Sequence, residues 1–212
     1  CIDVVNRSVS RIARGGASAS GTGTTNSGSL ILASNVMWEQ NPTEPGKKLR
    51  YLPKKIIAHE YFHAYQHAHI FTYDYNERSE LMVVNPWWSE GGAEYMAQLL
   101  YSQQDGMDDN YLKDRMTWKM QSKNDLYENE FISEIPYGDR AYIAYDLGTW
   151  AIAYLINIVD LESYRIIFYN NLNEHTWEES FNISFNMSSN EFLTNFHEFL
   201  NLDLEEQLSI IP

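Results

Sequence analysis

The spacing of apolar and polar positions divides the chain into a short leading stretch and a long helical remainder. Ile2 to Arg14 suits a short helix, whereas Gly15 to Ser29 is nearly all Gly, Ala, Ser, Thr and Asn. That second stretch is too poor in apolar side chains to pack and reads as a flexible loop. Leu30-Ile31-Leu32-Ala33, continuing to Trp38, predicts a strand, and Asn41-Pro42-Thr43-Glu44-Pro45-Gly46 ends it with turn chemistry. Pro53 suits the first turn of a helix, where its missing N–H leaves no bond unmade, and the helix it opens is expected to reach about Ile70. The next helix follows Asn85-Pro86-Trp87-Trp88, with Ser89 as the expected N-cap and the body continuing to about Ser102. Further helices are predicted from Asp108 to Ser122, Asp139 to Ile158, Leu161 to Asn171 and Asn190 to Leu200. The expected fold class is α+β, mainly α: a small N-terminal β region with an edge strand, then a helical lobe. Residues 1–29 form a flexible or truncated leading segment and 30–212 a single domain.

Composition supports a packed core. Of 212 residues, 44% are hydrophobic, with 6 Trp, 15 Tyr and 9 Phe, which excludes a disordered chain. The net charge of −14 argues against nucleic acid as a partner, since a phosphate surface requires clustered Lys and Arg. No run of roughly 18 apolar residues is present, so no transmembrane segment is expected. The single cysteine, Cys1, forms no internal disulfide and excludes a Cys-rich zinc site. Its place at the first position suits either a cut from a longer chain or the lipidated start of a mature bacterial lipoprotein, hence an extracellular or cell-surface setting.

The chemistry is concentrated in His59-Glu60-Tyr61-Phe62-His63, an H-E-x-x-H sequence on the helix opened by Pro53. Residues four apart share a helix face, so both imidazoles reach one ion while Glu60 points towards a water beside it. A catalytic zinc ion takes three protein ligands and keeps a position open. Three residues compete for the third place. His67 lies two turns up the axis from His59, roughly 11 Å, too far to join the same ion. His69 has the metzincin spacing, but that pattern needs a Gly for its sharp turn where this chain has Gln66. Glu90, at the start of the next helix in Trp87-Trp88-Ser89-Glu90-Gly91-Gly92-Ala93-Glu94-Tyr95, completes a His₂Glu set. Glu94, one turn later on the same face, is placed to accept a hydrogen bond from the outer nitrogen of a liganding His.

With these two motifs the chain resembles the gluzincin metallopeptidases, the broad group that includes thermolysin and the neutral aminopeptidases, over roughly residues 30 to 205. The resemblance implies a zincin-like catalytic domain over residues 30–212, whose active-site helix lies between the β region and the helical lobe. It implies Zn²⁺ held by His59, His63 and Glu90, with Glu94 supporting a ligand His. Aminopeptidases of the group carry a Tyr-Glu-Lys-Gly stretch whose Tyr stabilises the tetrahedral intermediate. Tyr145-Asp146-Leu147-Gly148 is similar and assigns that role to Tyr145, with Tyr142 and Tyr137 as alternatives. Asn35-Val36-Met37-Trp38 loosely resembles the edge strand that pairs with a peptide, making Asn35 and Trp38 candidate substrate contacts. No segment like G-A-M-E-N, which binds a free amine in the aminopeptidases, is present, so exopeptidase action is not implied.

The expected activity is hydrolysis of a peptide or protein substrate by zinc-activated water, with Glu60 as general base. Three alternatives stay open at this level. These are a metzincin-type enzyme using His69, a catalytically silent domain that binds, and a closed structural zinc site with Glu94 or His69 as fourth ligand.

Overall fold

The computed structural model describes residues 53–72, 74–82 and 86–212, and all statements below concern those residues. Numbered from the first described helix, the elements are α1 (Pro53–Ala68), α2 (Tyr75–Met82), α3 (Pro86–Ser102), α4 (Tyr111–Met120) and α5 (Ala141–Ile158). They continue with α6 (Phe168–Asn171), α7 (Trp177–Phe185), α8 (Ser189–Phe199) and α9 (Leu204–Leu208). Two short 3₁₀ turns, Gln121–Asp125 and Ile132–Glu134, join α4 to α5, and a π-turn at Ser163–Ile167 leads into α6.

The described residues contain helices and connections and no strand, which corrects the expected α+β class to an all-helical one for this region. A strand needs a partner to satisfy its backbone N–H and C=O groups, and no described residue supplies one. The strand expected over 30–38, with Asn35 and Trp38, lies outside the described residues, as do the helix and loop expected before it.

Helix α3 is the centre of the fold, packed against α1 on one side and α5 on the other. Its α5 contact is a backbone crossing. A Cβ on Gly91 would lie 2.6 Å from Gly148 Cα, and one on Gly148 would lie 2.9 Å from Trp87 Cα. Real side chains do not tolerate either distance, so two glycines from distant segments set how closely the helices approach. α3 also begins one turn earlier than expected. Pro86 opens it and Ser89 lies within its first turn rather than at its cap.

Behind the crossing, Trp87 and Trp88 are each 1% exposed and anchor an aromatic core. Trp88 packs 5.3 Å from Trp177 and 4.5 Å from Phe168, and Trp87 stacks 5.9 Å from Phe192, drawing α6, α7 and α8 onto α3. Asp160, at φ 131°, accepts a hydrogen bond from the Ser163 backbone N–H at 2.6 Å as the chain re-enters helix. Three helices lie outside the sequence expectation: α2, α7 and α9, the last capped by Asp203, whose side chain accepts from the Glu206 backbone N–H. α2 has no apolar stripe and is held by Asp74, whose carboxylate accepts from the backbone N–H of Asn76 and Glu77. α7 begins with a reciprocal Thr176–Glu179 capping box. No single described helix is long and apolar enough to cross a membrane.

Because Gly148 faces the backbone of α3, Gly148→Ala is expected to lose about 1–3 kcal/mol through overpacking, even though Ala is the better helix former. A urea titration reads the change, and an unaltered midpoint would contradict the crossing as described.

Candidate metal centre

Helix geometry places His59 and His63 one turn apart on the face of α1 that meets α3, and Glu90 projects towards them from just past the first turn of α3. His59 Nε2 and His63 Nε2 are 3.1 Å apart. Glu90 Oε2 lies 3.1 Å from the His63 nitrogen and 3.3 Å from that of His59. The three atoms form a nearly equilateral triangle. A tetrahedral ion with ligands at about 2.0–2.1 Å has edges of about 3.3–3.4 Å, so the triangle is close to one face of a zinc site.

The outer ring nitrogens settle where the lone pairs point. His59 Nδ1 lies 3.1 Å from Glu94 Oε2, and a carboxylate there accepts, so Nδ1 carries the proton. His63 Nδ1 lies 2.8 Å from Gln66 Oε1. The Gln66 amide is oriented by its NH₂, which donates to the Ser89 carbonyl at 3.3 Å and to the Tyr169 hydroxyl at 3.0 Å. Its oxygen therefore faces His63 and accepts. With both rings neutral, two imidazole lone pairs and a carboxylate oxygen converge with no proton between them. Such a set is repulsive unless a cation sits at its centre.

Electrostatics give the same result. Burial alone would lower the His59 pKa, but Glu90 and Glu94 beside it raise it to about 9. Burial would raise the Glu90 carboxyl, but hydrogen bonds to His59 and His63 hold it well below the usual carboxylate range. Glu94 is likewise held low against its burial by Lys119, His59 and Lys55. Without a metal, a proton on His59 fills the positive role. The donor set, two imidazoles and one carboxylate, fits zinc.

Around this triangle Glu94 is fully occupied. Its Oε2 accepts from Lys55 Nζ at 2.7 Å as well as from His59, and its Oε1 from Gln98 Nε2 at 2.8 Å with Lys119 Nζ at 3.2 Å. Two tyrosines approach Glu90. Tyr137 donates to its Oε1 at 3.0 Å. Tyr145 lies with its ring parallel to His59, 3° between planes and 6.4 Å between centroids, and burial followed by Glu90 raises its pKa. Tyr142, by contrast, is exposed and donates to Asp125 at 2.9 Å. Glu60 lines a cleft of about 930 Å³ with His59, Tyr145, Tyr142 and Trp118, walled by α1, α3, α4 and α5.

The competing histidines lie elsewhere. α1 runs straight to Ala68, and His69 Nδ1 pairs with the Tyr65 carbonyl at 2.8 Å. His67 faces Arg78 at 3.3 Å, and burial, with that guanidinium, lowers its pKa to about 4. Among the described residues only His59, His63 and Glu90 group as ligands for one ion. The structural role of Gln66 was not anticipated. Its spacing three residues after the second His is the sequence signal that carries it.

No protein-family model matches the chain, and no curated protein or solved structure is significantly similar to it.

Zinc needs the His59 Nε2 lone pair, which a pKa of about 9 leaves protonated at pH 7. Binding at pH 7 is therefore expected to release about one proton from this ring, and apparent affinity to rise with pH until about 9. Calorimetry in two buffers of different ionisation enthalpy measures the release. Heats that do not depend on the buffer would contradict it.

Proposed function

We propose that this protein is a zinc-dependent peptidase that cleaves peptide or protein substrates with Glu60 as general base. One observation carries the reading: the three converging ligand atoms of His59, His63 and Glu90 lie beside a cleft whose wall includes both Glu60 and Tyr145. The ligand set favours a catalytic over a structural zinc site. Both oxygens of Glu94 are already engaged and His69 does not group with the three ligand atoms, so no fourth protein ligand stands among the described residues. The same arrangement favours Glu90 over His69 as third ligand, and so the gluzincin reading over the metzincin one.

A zinc ion in this set supplies a Lewis acid that lowers the pKa of a water towards 7 and polarises the substrate carbonyl. The side chains supply the rest. Glu60, next to His59 in sequence and open to the cleft, takes the proton of the attacking water and returns it to the leaving nitrogen. Tyr145 keeps its phenolic proton, since burial and Glu90 raise its pKa, and donates it as a hydrogen bond to the developing oxyanion. Glu94 holds His59 in the Nδ1–H tautomer and Gln66 does the same for His63, so both Nε2 atoms remain ligands. Tyr137 steadies the other oxygen of Glu90.

The rival reading, a silent binding domain, predicts no hydrolysis at all. Casein digestion with and without a chelator separates the two. Glu60→Gln is expected to keep zinc and to lose at least about 10²-fold in rate. Tyr145→Phe is expected to lower kcat by about 10²–10³. Metal content and casein cleavage measured on the same preparations check both, and a Glu60→Gln protein with full activity would sink the mechanism.

A further inference from the structure

A second constellation lies in the wall of the same cleft around Glu94, and the proposed chemistry does not use its Lys119 and Asp146. Lys119 is 4% exposed, an unusual position for an ammonium. It projects from the last turn of α4, its Nζ 2.7 Å from Asp146 Oδ1 on α5 and 3.2 Å from Glu94 Oε1 on α3. The second oxygen of Asp146 accepts from Ser122 Oγ at 2.7 Å. Lys119 thus bridges two buried carboxylates on different helices. One holds His59, and the other follows Tyr145 directly in sequence.

Burying three charges costs several kcal/mol per ion before pairing, and an apolar cluster of the same volume would serve stability as well or better. A triad at this place therefore points to a positional task. Glu94 accepts the His59 proton only as an anion, and a carboxylate this deeply buried needs cations beside it. Lys55 supplies one from α1. Lys119 supplies the other and simultaneously ties Glu94 to the helix that carries Tyr145.

We infer that Lys119 and Asp146 are positioning residues that lock the His59–Glu94 pair and Tyr145 in one fixed relation. This rests on the peptidase reading for its consequence in catalysis, but its consequence for metal binding stands apart from it. Lys119 acts on the metal side through Glu94. Asp146 acts on the tyrosine side, because Glu94 keeps Lys55, Gln98 and Lys119 when Asp146 loses its charge.

The test measures zinc affinity by competition with a chromogenic chelator, and kcat and KM on a peptide at saturating zinc, for Lys119→Met, Lys119→Arg and Asp146→Asn. Lys119→Met is expected to bind zinc at least about tenfold more weakly, the usual effect of losing support behind a ligand. Lys119→Arg is expected to recover most of that loss. Asp146→Asn is expected to keep zinc affinity and KM while kcat falls about tenfold. A role in stability alone would lower the melting temperature and leave these values unchanged in the folded protein. Wild-type zinc affinity in folded Lys119→Met, or wild-type kcat in Asp146→Asn, would overturn the inference. If Lys119→Met does not fold, Asp146→Asn decides. A chain that loses zinc in Lys119→Met yet cleaves no peptide in its native form would uphold the metal arm and sink the peptidase.

Discussion

The close crossing of α3 over α5 at Gly91 and Gly148 sets the positions on which everything else depends. Glu90 immediately precedes one glycine, and Tyr145 and Asp146 lie within a turn of the other. Bringing the two backbones together fixes the third ligand and the tyrosine relative to each other, while the α1 contact with α3 brings in the histidines. The buried tryptophans beside the crossing hold α3 from the opposite side. A larger side chain at either glycine would separate elements that must act within a few ångströms.

On this scaffold the polar groups form a continuous chain of satisfied charges. Gln66 and Glu94 orient the two rings, Lys55 and Lys119 hold Glu94 anionic, and Asp146 and Ser122 anchor Lys119. Within this network, acceptors face each other at the centre of the triangle formed by His59, His63 and Glu90. A protein interior does not hold three converging lone pairs at rest. A proton or a metal ion relieves such a set, and the spacing of the three atoms fits one face of a tetrahedral coordination shell.

The grouping of the candidate ligands was legible in part because it is local: His59 and His63 share a face by helical period alone, and Glu90 with Glu94 repeats that spacing on the next helix. Their meeting with Glu90 was an inference from motif order that the packing of α1 on α3 supplies in geometry. Lys119 was not legible. Its partners come from two other helices, and a lysine in a mixed sequence such as Thr117-Trp118-Lys119-Met120 reads as solvated until the packing is known. Gln66 counted only as the absence of a glycine, although its amide fixes a ligand tautomer. The α+β class is corrected by the described residues, which hold helices and connections alone, while the expected strand over 30–38 lies outside them; helix α2 escaped because its sequence has no apolar face. The Thr176–Glu179 capping box of α7 is readable in the sequence as a helix start.

The most direct test of the central claim is to locate the ion. In crystals of the zinc-loaded protein, diffraction at the zinc absorption edge should show one strong anomalous peak. The account predicts that peak within about 2.0–2.2 Å of His59 Nε2, His63 Nε2 and a Glu90 oxygen. A peak at His67 or His69, a fourth protein ligand closing the site, or no bound zinc at all would contradict it.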